Sequence, residues 1–425
     1  MGHTRFLAVA LSTAAALAAC SHQPDQPSNV TIQGIVLDEF GHPWPSQPVV
    51  ISAGTFSQRV LSDSSGSFTV KNVPTPYNAM VIDATSTAFA TLYVGLTRTD
   101  PTLTIGNYQF PKRSGGLGGQ LMGGSYPESS EYSTRLVFAS PEVTPVSPGS
   151  FTMDSSRAYS GDVDWVGPAS TTGTLYVLQV HFDAGFPVDY SGYGTLSGIV
   201  LEDKGSVQAQ NVTLAPVTTG SLSVSVTVPP GYTFQYQRAA FQPVPGASFF
   251  NFWGASAVPA SFVYATPSIP GTSMMVSAFA SIGQGIGSPT TLAQSQVPAT
   301  TSLALSLPAA PSLTLPADGA ADVTLSTPFA WTQFPGGVYA VTFIGNGVAG
   351  VGNEGVVVYV AGTSATLPDL ADAGFPFRGS YTWQVTGIAP VASIDALAAA
   401  GGTWALSLGD FMEATSGQQS FTTSQ

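Results

Sequence analysis

Short stretches of alternating apolar and polar residues, separated by glycine and proline, run along most of this 425-residue chain. Glycine occurs 46 times and proline 33 times, both scattered, and serine, threonine and valine are plentiful. Valine and threonine favour strands, whereas glycine, proline and serine favour turns. Periodic runs of helix-forming residues are nearly absent. The pattern predicts an all-β protein of tandem β-sandwiches, and the length suffices for three or four domains.

Charge limits the classes of partner that this chain can attract. Charged residues make up 8% of the chain and hydrophobic residues 44%, and the net charge is −13. The high apolar content excludes a disordered chain. The 11 basic residues are scattered and form no basic stripe, so nucleic acid is not an expected partner. Anionic lipid surfaces would not attract the chain either, so any membrane contact needs another source.

The only cysteine, Cys20, ends an apolar leader that begins at Phe6, just after Arg5. Small residues precede the cysteine, and a polar stretch follows it. The apolar run is shorter than the roughly 20 residues of a transmembrane helix. An ordinary secretory peptide has small residues at its cleavage site but needs no cysteine after it. The leader resembles a bacterial lipoprotein signal peptide.

This resemblance implies that residues 1–19 are removed and that Cys20 carries the acyl chains, which anchor the protein to a membrane. No cysteine then remains for a disulfide, so burial and hydrogen bonds must stabilise the fold. Residues 20–29 are rich in proline, serine and glutamine and predict a flexible tether. Serine at position 21, directly after Cys20, resembles the pattern of lipoproteins that are sent to the outer membrane of Gram-negative bacteria. The expected location is therefore the cell envelope, with a lipid anchor in the outer membrane.

Residues 30–105, here module 1, contain the most specific motif of the chain. Its pattern is G-x-V-x-D-x-x-G-x-P, then V-x-V, D-x-x-G-x-F and V-P, carried by Gly34, Val36, Asp38, Gly41, Pro43, Val49, Ile51, Asp63, Gly66, Phe68, Val73 and Pro74. In the turn at 63–66, we expect Asp63 to accept bonds from the backbone ahead and Gly66 to adopt a positive φ. The motif resembles that of the carboxypeptidase regulatory-like domain. That family implies a transthyretin-like, seven-stranded sandwich that serves as a spacer or a binding platform.

Residues 106–217 and 218–310, here modules 2 and 3, resemble two copies of one unit. Segments of module 2 recur roughly 100 residues later in module 3. The clearest pairs are Arg135–Phe138 with Arg238–Phe241, Gly173–Leu178 with Gly271–Val276, and Asn211–Ala215 with Thr301–Leu305. A chance match is the alternative in a chain so rich in serine, glycine and valine. Both copies fit sandwiches of short alternating strands.

Residues 311–425, here module 4, begin after a proline-rich boundary at 308–311. The segments Thr327–Trp331, Val338–Phe343 and Tyr381–Val385 resemble those of a fibronectin type III-like module. That resemblance implies that Trp331 lies in the core and that Tyr381–Val385 forms a late strand. Pro390–Ala400 is the one predicted helical patch. The predicted fold is thus a set of tandem Ig-like and transthyretin-like β-sandwiches behind a lipoprotein signal peptide.

No group of residues has the spacing of a catalytic site. Of the 4 histidines, only His181 lies in a predicted strand, and no G-x-S-x-G sequence supplies a nucleophile for it. We therefore expect His181 to be an ordinary core or surface histidine. Asp162 and Asp164 share one face of an extended strand and could bind Ca²⁺ with backbone oxygens, although a solvated strand edge is favoured. We expect no enzymatic activity and no cofactor.

Aromatic residues give the remaining indication of function. Two groups stand out in module 3, namely Tyr232, Phe234 and Tyr236, and then Phe249, Phe250, Phe252 and Trp253. Exposed rings on a flat sheet suit the stacking of sugars, and Trp and Tyr are typical of binding patches. Most of the 24 Phe, 15 Tyr and 6 Trp must nevertheless fill cores. Tyr232, Tyr236 and Trp253 are the candidate ligand-binding residues.

The predicted function is that of a surface-anchored lipoprotein with several β-sandwich domains and a structural or ligand-binding role in the cell envelope. A carbohydrate-binding or adhesion protein is one alternative, and an accessory subunit of an envelope complex is another. The expected partners are a membrane, through the N-terminal lipid, and either a polysaccharide or an envelope protein.

Overall fold

The computed structural model describes residues 29–39, 41–83, 89–106, 112–124, 132–141, 144–244, 250–251, 258–285, 287–345, 355–369, 377–399 and 409–423. Strands make up most of these residues, and the one helix among them has four residues. The prediction of an all-β protein built from β-sandwiches is confirmed.

Module 1 contains seven strands: β1 (Val30–Leu37), β2 (Pro48–Ala53), β3 (Phe56–Leu61), β4 (Ser67–Val73), β5 (Tyr77–Asp83), β6 (Phe89–Leu96) and β7 (Thr102–Thr104). They form two sheets with the orders β4-β1-β7 and β3-β2-β5-β6. Strand β1 runs antiparallel to β4 and parallel to β7. The sheets enclose a core to which Ile32, Val49 and Val81 contribute fully buried side chains.

The turn between β3 and β4 has the predicted construction. One Asp63 carboxylate oxygen accepts bonds from the Ser65 N–H at 2.8 Å, the Ser65 hydroxyl at 2.7 Å and the Ser67 N–H at 3.0 Å. Gly66 has a φ of 76°. Phe68 follows the turn and is buried opposite Gly34 on β1. The local sequence thus sets the reversal and places the next ring in the core.

Module 2 contains eight strands: β8 (Lys112–Gly123), β9 (Tyr132–Ala139), β10 (Thr144–Met153), β11 (Ala158–Val166), β12 (Ser170–Asp183), β13 (Phe186–Glu202), β14 (Ser206–Val207) and β15 (Val212–Leu214). One sheet has the order β10-β11-β8-β14, with β15 also on β8, and the other has the order β13-β12-β9. The segment that carries β14 and β15 passes very close to β8. A Cβ on Gly119 would lie 2.2 Å from the Gln210 carbonyl oxygen, which explains a glycine there.

Module 3 contains β16 (Thr218–Thr227), β17 (Thr233–Gln242), β18 (Phe250–Asn251), β19 (Ser261–Ser268), β20 (Ser273–Ser281), β21 (Thr290–Val297) and β22 (Thr301–Ser306). Its sheets have the orders β19-β16-β22 and β18-β17-β20-β21. The sequence pairs between modules 2 and 3 lie on equivalent strands, since β9 matches β17, β12 matches β20 and β15 matches β22.

Modules 1, 2 and 3 share one strand order. In each, the first strand runs antiparallel to the fourth and parallel to the last, and the fifth strand lies between the second and the sixth. Module 2 differs because its third strand, β10, pairs with the fourth strand instead of the second. The Asp63 turn also recurs there, since the Asp154 carboxylate accepts bonds from the Ser156 N–H at 2.8 Å and the Ala158 N–H at 3.0 Å. The repeat found between modules 2 and 3 therefore extends to module 1.

Module 4 contains β23 (Leu313–Leu315), β24 (Ala320–Val323), β25 (Phe329–Trp331), β26 (Val338–Gly345), β27 (Gly355–Val360), β28 (Ser364–Ala365), β29 (Ser380–Ala389), α1 (Ile394–Leu397), β30 (Phe411–Thr415) and β31 (Gln419–Thr423). One sheet has the order β23-β25-β28, and the other contains β27-β26-β29-β30, with β31 also on β29. Trp331 and Trp383 are buried between them. The predicted helical patch contains α1, whose first turn is capped by the Ser393 hydroxyl.

The order of the modules in space differs from their order in the chain. A 14-stranded sheet runs from β18 in module 3 through module 4 to β3 in module 1. It crosses between modules where β21 pairs with β30 and where β27 pairs in parallel with β6. Module 4, the last in the chain, thus lies between modules 3 and 1. A simple row of sandwiches in chain order does not occur.

Each of the two cores beside this sheet takes residues from both module 1 and module 4. Ala340 and Ile388 of module 4 belong to the core of module 1. Conversely, Met80, Ile82 and Ala90 of module 1 belong to the core of module 4. Each module therefore covers an apolar face that the other would leave exposed, and burial of that area stabilises their contact.

Polar contacts join α1 to the loop between β6 and β7. The Asp395 carboxylate accepts bonds from the Thr97 N–H at 2.8 Å, the Arg98 N–H at 3.1 Å and the Thr97 hydroxyl. The Arg98 guanidinium donates to the Asp395 carbonyl at 2.7 Å, and the Thr102 N–H donates to the Ala398 carbonyl at 2.8 Å. Partial burial raises the pKa of Asp395, but the bonds from Thr97 and Arg98 outweigh it and hold that pKa below its ordinary value of 3.8.

Substitution of Gly66 tests the turn of module 1. A Cβ at Gly66 would lie 2.7 Å from the Val36 carbonyl oxygen, whereas a Cβ at Gly54, where φ is 57°, would meet nothing within 4 Å. Both Gly→Ala changes carry the cost of a positive φ, but only Gly66→Ala adds a clash. We expect Gly66→Ala to lower the free energy of unfolding by at least about 1 kcal/mol more than Gly54→Ala. Equal midpoints in urea denaturation of the two variants would show that the turn is misplaced.

The contact between α1 and module 1 can be tested with Asp395→Asn. The neutral amide accepts bonds less strongly, so unfolding should become easier by about 1 kcal/mol after allowance for solvent exposure. Because the folded protein lowers the pKa of Asp395, the wild-type advantage should be full near neutral pH. It should disappear as pH falls through the lowered pKa, below 3.8. Asp100→Asn is the control, since the Asp100 side chain is 73% exposed and should change little. A wild-type advantage that persists in acid would contradict this role of Asp395.

Candidate ligand-binding surface

A β-bulge separates the tyrosines that the sequence placed in one alternating run. The register between β17 and β20 shifts after Phe234, so Phe234 lies opposite Ala280 and Tyr236 lies opposite Phe279. Residues directly opposite in an antiparallel pair share a face of the sheet. Ala280 is in the core of module 3, whereas Phe279 lies on the other face. Tyr236 therefore projects from the outer face, away from the core side where Phe234 lies.

Tyr236 belongs to a small cluster on this outer face. Its ring stacks on Phe279 with centroids 5.4 Å apart and planes inclined by 21°. The guanidinium carbon of Arg238 lies 5.8 Å from the centre of the Tyr236 ring, and Arg238 Nε donates to the Ser277 hydroxyl at 3.0 Å. Cation–π attraction and ring stacking thus hold these side chains together. The cluster is half-buried and offers an aromatic surface beside a positive charge.

The row of side chains that contains Tyr236 continues into the core of module 1. Across successive strands the neighbours are Tyr236, Phe279, Leu292, Glu413 and Ile388. Glu413 is the one acidic member, and burial raises the pKa of its carboxyl group. The sequence reasoning missed this residue. The indication in the sequence was the position of Glu413 in the alternating stretch 411–415. Pairing of this stretch with β29 places Glu413 on the same face as Ile388.

Tyr232 has a different position and a structural contact. Its ring packs against the core of module 3. Its hydroxyl oxygen accepts a bond at 3.0 Å from the N–H of Ala310, in the segment that connects module 3 to module 4. The structure therefore does not bring Tyr232 and Tyr236 together. Trp253, the third candidate, and Cys20 lie outside the described residues.

His181 lies on β12 as part of a packed surface. Its imidazole stacks on Tyr132 with ring centres 4.4 Å apart and planes inclined by 12°. Asp189 lies opposite His181 on β13, and its carboxylate accepts a bond from the Thr219 hydroxyl at 2.6 Å. This environment suits a histidine that contributes to packing.

Asp162 and Asp164 lie on the solvent side of β11. They alternate with Val163 and Trp165, which are buried in the core of module 2. The predicted shared face is thus present. Within the described ranges, however, no three histidine, cysteine, aspartate or glutamate side chains converge as a metal site would require.

The part of the chain that the structure describes contains no helix long and apolar enough to cross a membrane.

Comparison with known proteins places the chain near no established family. No family profile matches it, and no curated protein matches it. Among solved structures it is similar to the TIE protein of Bacillus anthracis, at 10% identity and a TM-score of 0.17, over 66% of this chain and 50% of that one. The chain therefore spans half the length of that protein.

Two further structures are similar at the same level. The major pilin subunit BcpA of Bacillus cereus shares 9% identity, with a TM-score of 0.14, over 66% of this chain and 99% of the pilin. A Ca²⁺-stabilised, ice-binding adhesin of an Antarctic bacterium shares 12% identity, with a TM-score of 0.13, over 92% of this chain and 99% of that one. At these values the likeness extends to strand-rich architecture and no further.

Two Tyr→Phe changes test the different positions of these rings. Tyr232→Phe removes the hydroxyl that pairs the Ala310 N–H, so we expect it to lower the free energy of unfolding by about 1 kcal/mol. Tyr236→Phe keeps the stacked ring and should change this free energy by less than about 0.5 kcal/mol. Urea denaturation of both variants measures the difference. Wild-type stability of Tyr232→Phe would mean that the bond at Ala310 contributes nothing.

Proposed function

We propose that this chain is a lipid-anchored protein of the cell envelope whose modules form a rigid scaffold with a structural or ligand-binding role. The observation that carries the proposal is the 14-stranded sheet through modules 3, 4 and 1. Domains within a chain usually move relative to one another unless their interface is large and apolar. Here strand pairing joins three modules in one sheet, and modules 1 and 4 also share their cores, as suits a protein that holds a fixed surface away from a membrane.

The sequence of the leader supports the anchor. Residues 6–20 have the pattern of a lipoprotein signal peptide, and Cys20 is the sole thiol for acylation. The tether of residues 20–29 would allow the scaffold to stand up to about 30 Å from the lipid, at about 3.3 Å per extended residue. Ser21 favours transfer to the outer membrane.

The strand orders support the two family assignments that we propose for the ends of the scaffold. Module 1 has seven strands in two sheets and a buried Phe68 after its Asp63 turn, as expected for a carboxypeptidase regulatory-like domain. Module 4 has a three-stranded sheet opposite a larger sheet, with Trp331 buried, as expected for a fibronectin type III-like domain. The regulatory-like family implies a spacer or a binding platform.

An adhesion or carbohydrate-binding role is the second candidate. The stacked pair of Tyr236 and Phe279 favours it, because aromatic and arginine side chains are enriched in recognition surfaces. In either case we propose a protein that binds without chemical turnover.

The anchor is tested by Cys20→Ser. Without the thiol no acyl chain can attach, so the protein should move from the detergent phase to the aqueous phase in Triton X-114 partitioning. Ser21→Ala is the matched control and should stay in the detergent phase. Mass spectrometry of the mature wild-type protein should find an acylated Cys20 at the N-terminus. An unmodified N-terminus at any other residue would refute the proposal.

A further inference from the structure

The first strand of each of modules 1, 2 and 3 is paired on both sides, and one of its partners is the last strand of the same module, in parallel. In module 3 this pairing joins Leu222–Thr227 to Thr301–Ser306. In module 4 the last strand, β31, pairs in parallel with β24. Because parallel strands point the same way, the chain enters each of the first three pairs at one end of the sheet and leaves at the opposite end.

This arrangement decides how the pairs respond to tension. A pull on the chain before the first strand and after the last one acts along both strands, so all the backbone bonds between them bear the load together. In a hairpin the two ends leave the sheet side by side, and the same pull acts on the outermost bond and opens the ladder bond by bond. Parallel first and last strands therefore resist tension better than the hairpins of the same modules.

Strand β1 is the first element to receive tension from the N-terminal tether, because the chain continues directly into it at Val30. It is the central strand of its sheet, with β4 on one side and β7 on the other. Three backbone bonds hold it to β7 and the residues beside β7: Gln33 N–H to the Thr99 carbonyl at 2.7 Å, Ile35 N–H to the Pro101 carbonyl at 3.0 Å, and Ile105 N–H to the Leu37 carbonyl at 3.1 Å. These bonds lie along most of the length of β1.

A side-chain contact also blocks movement of β1 along its own axis. Ile32, Gly34 and Val36 share the core face of β1, and both Ile32 and Val36 are fully buried. The ring of Phe68 lies over Gly34, where a Cβ would be 2.3 Å from the Phe68 Cζ atom. A pull on the tether would move Val36 toward the place of Gly34, where its side chain would meet this ring. The glycine between two buried side chains thus fixes the register of β1 against tension.

We propose that the scaffold carries mechanical tension between its membrane anchor and a load held by its later modules, an inference that rests on the anchored role proposed above. In this function β1 transmits the load from the tether into module 1. The parallel pairs of β8 with β15 and of β16 with β22 then carry it through modules 2 and 3. The alternative is a fold that resists force equally in every direction, in which the parallel pairs have no mechanical role.

Single-molecule force spectroscopy of the full chain tests this directional strength. In a Cys20→Ser background, two added cysteines are the only thiols for attachment. Asn29→Cys with Gly106→Cys pulls β1 and β7 from opposite ends, whereas Asn29→Cys with Asp100→Cys pulls them from the same end. We expect the first pair to rupture at a force at least about twice that of the second, because the three bonds share the load in one case and break in turn in the other. Equal forces would overturn the proposal.

Two core variants separate resistance to tension from stability. Phe68→Leu removes the ring over Gly34, and Val81→Ala removes buried methyl groups from β5 in the other sheet, so both make unfolding easier. At constant force on the pair at 29 and 106, we expect Phe68→Leu to raise the rupture rate about tenfold and Val81→Ala to raise it less than about twofold. Equal acceleration by the two variants would also overturn the proposal. These measurements are made without acyl chains, so their failure is distinguishable from failure of the anchor, which Cys20→Ser partitioning tests.

Discussion

The parallel pairing of β6 with β27 is the constraint on which the rest of the architecture depends. It joins five residues of module 1, from Phe89 to Tyr93, to five of module 4, from Gly355 to Tyr359. The rings of Tyr93 and Tyr359 meet across this seam with centroids 4.9 Å apart. Without the seam, the apolar face of β5 and β6 that carries Met80 and Ile82 would face water. Soluble proteins rarely expose apolar patches of that kind.

The seam also decides which faces of the long sheet stay open. Module 1 covers one face with β4, β1 and β7, whereas modules 3 and 4 cover the opposite face with their own second sheets, and Met412 contacts both of those cores. Because these smaller sheets pack on both sides, an open sheet of 14 strands can bury its apolar faces. Among the described residues, no second sheet of module 3 covers its outer face, which carries Tyr236 and Arg238.

Local features of the fold were predictable from the sequence, because they depend on a few neighbouring residues. The Asp63 turn, the positive φ at Gly66 and the helical patch that contains α1 are of this kind. The recurrence of the turn at Asp154 is also present in the sequence, as Asp-Ser-Ser at both sites. This shared tripeptide is the sequence signal that links module 1 to the repeat.

Non-local features were not predictable in the same way. The bulge after Phe234 separates two tyrosines that an ideal strand would place on the same face. The alternating sequence pattern contains no sign of this bulge. The placement of module 4 between modules 1 and 3 depends on pairing between strands more than 250 residues apart.

Hydrogen exchange at the seam between β6 and β27 tests the central claim most directly. If one sheet runs through both modules, the amides that pair these strands should be protected as strongly as those that pair β5 with β6, because both sets open only with the core. Peptide fragments covering 89–96 and 355–360 would report this. Rapid exchange of these amides, while β5 and β26 remain protected, would show that modules 1 and 4 fold separately and that no shared sheet joins them.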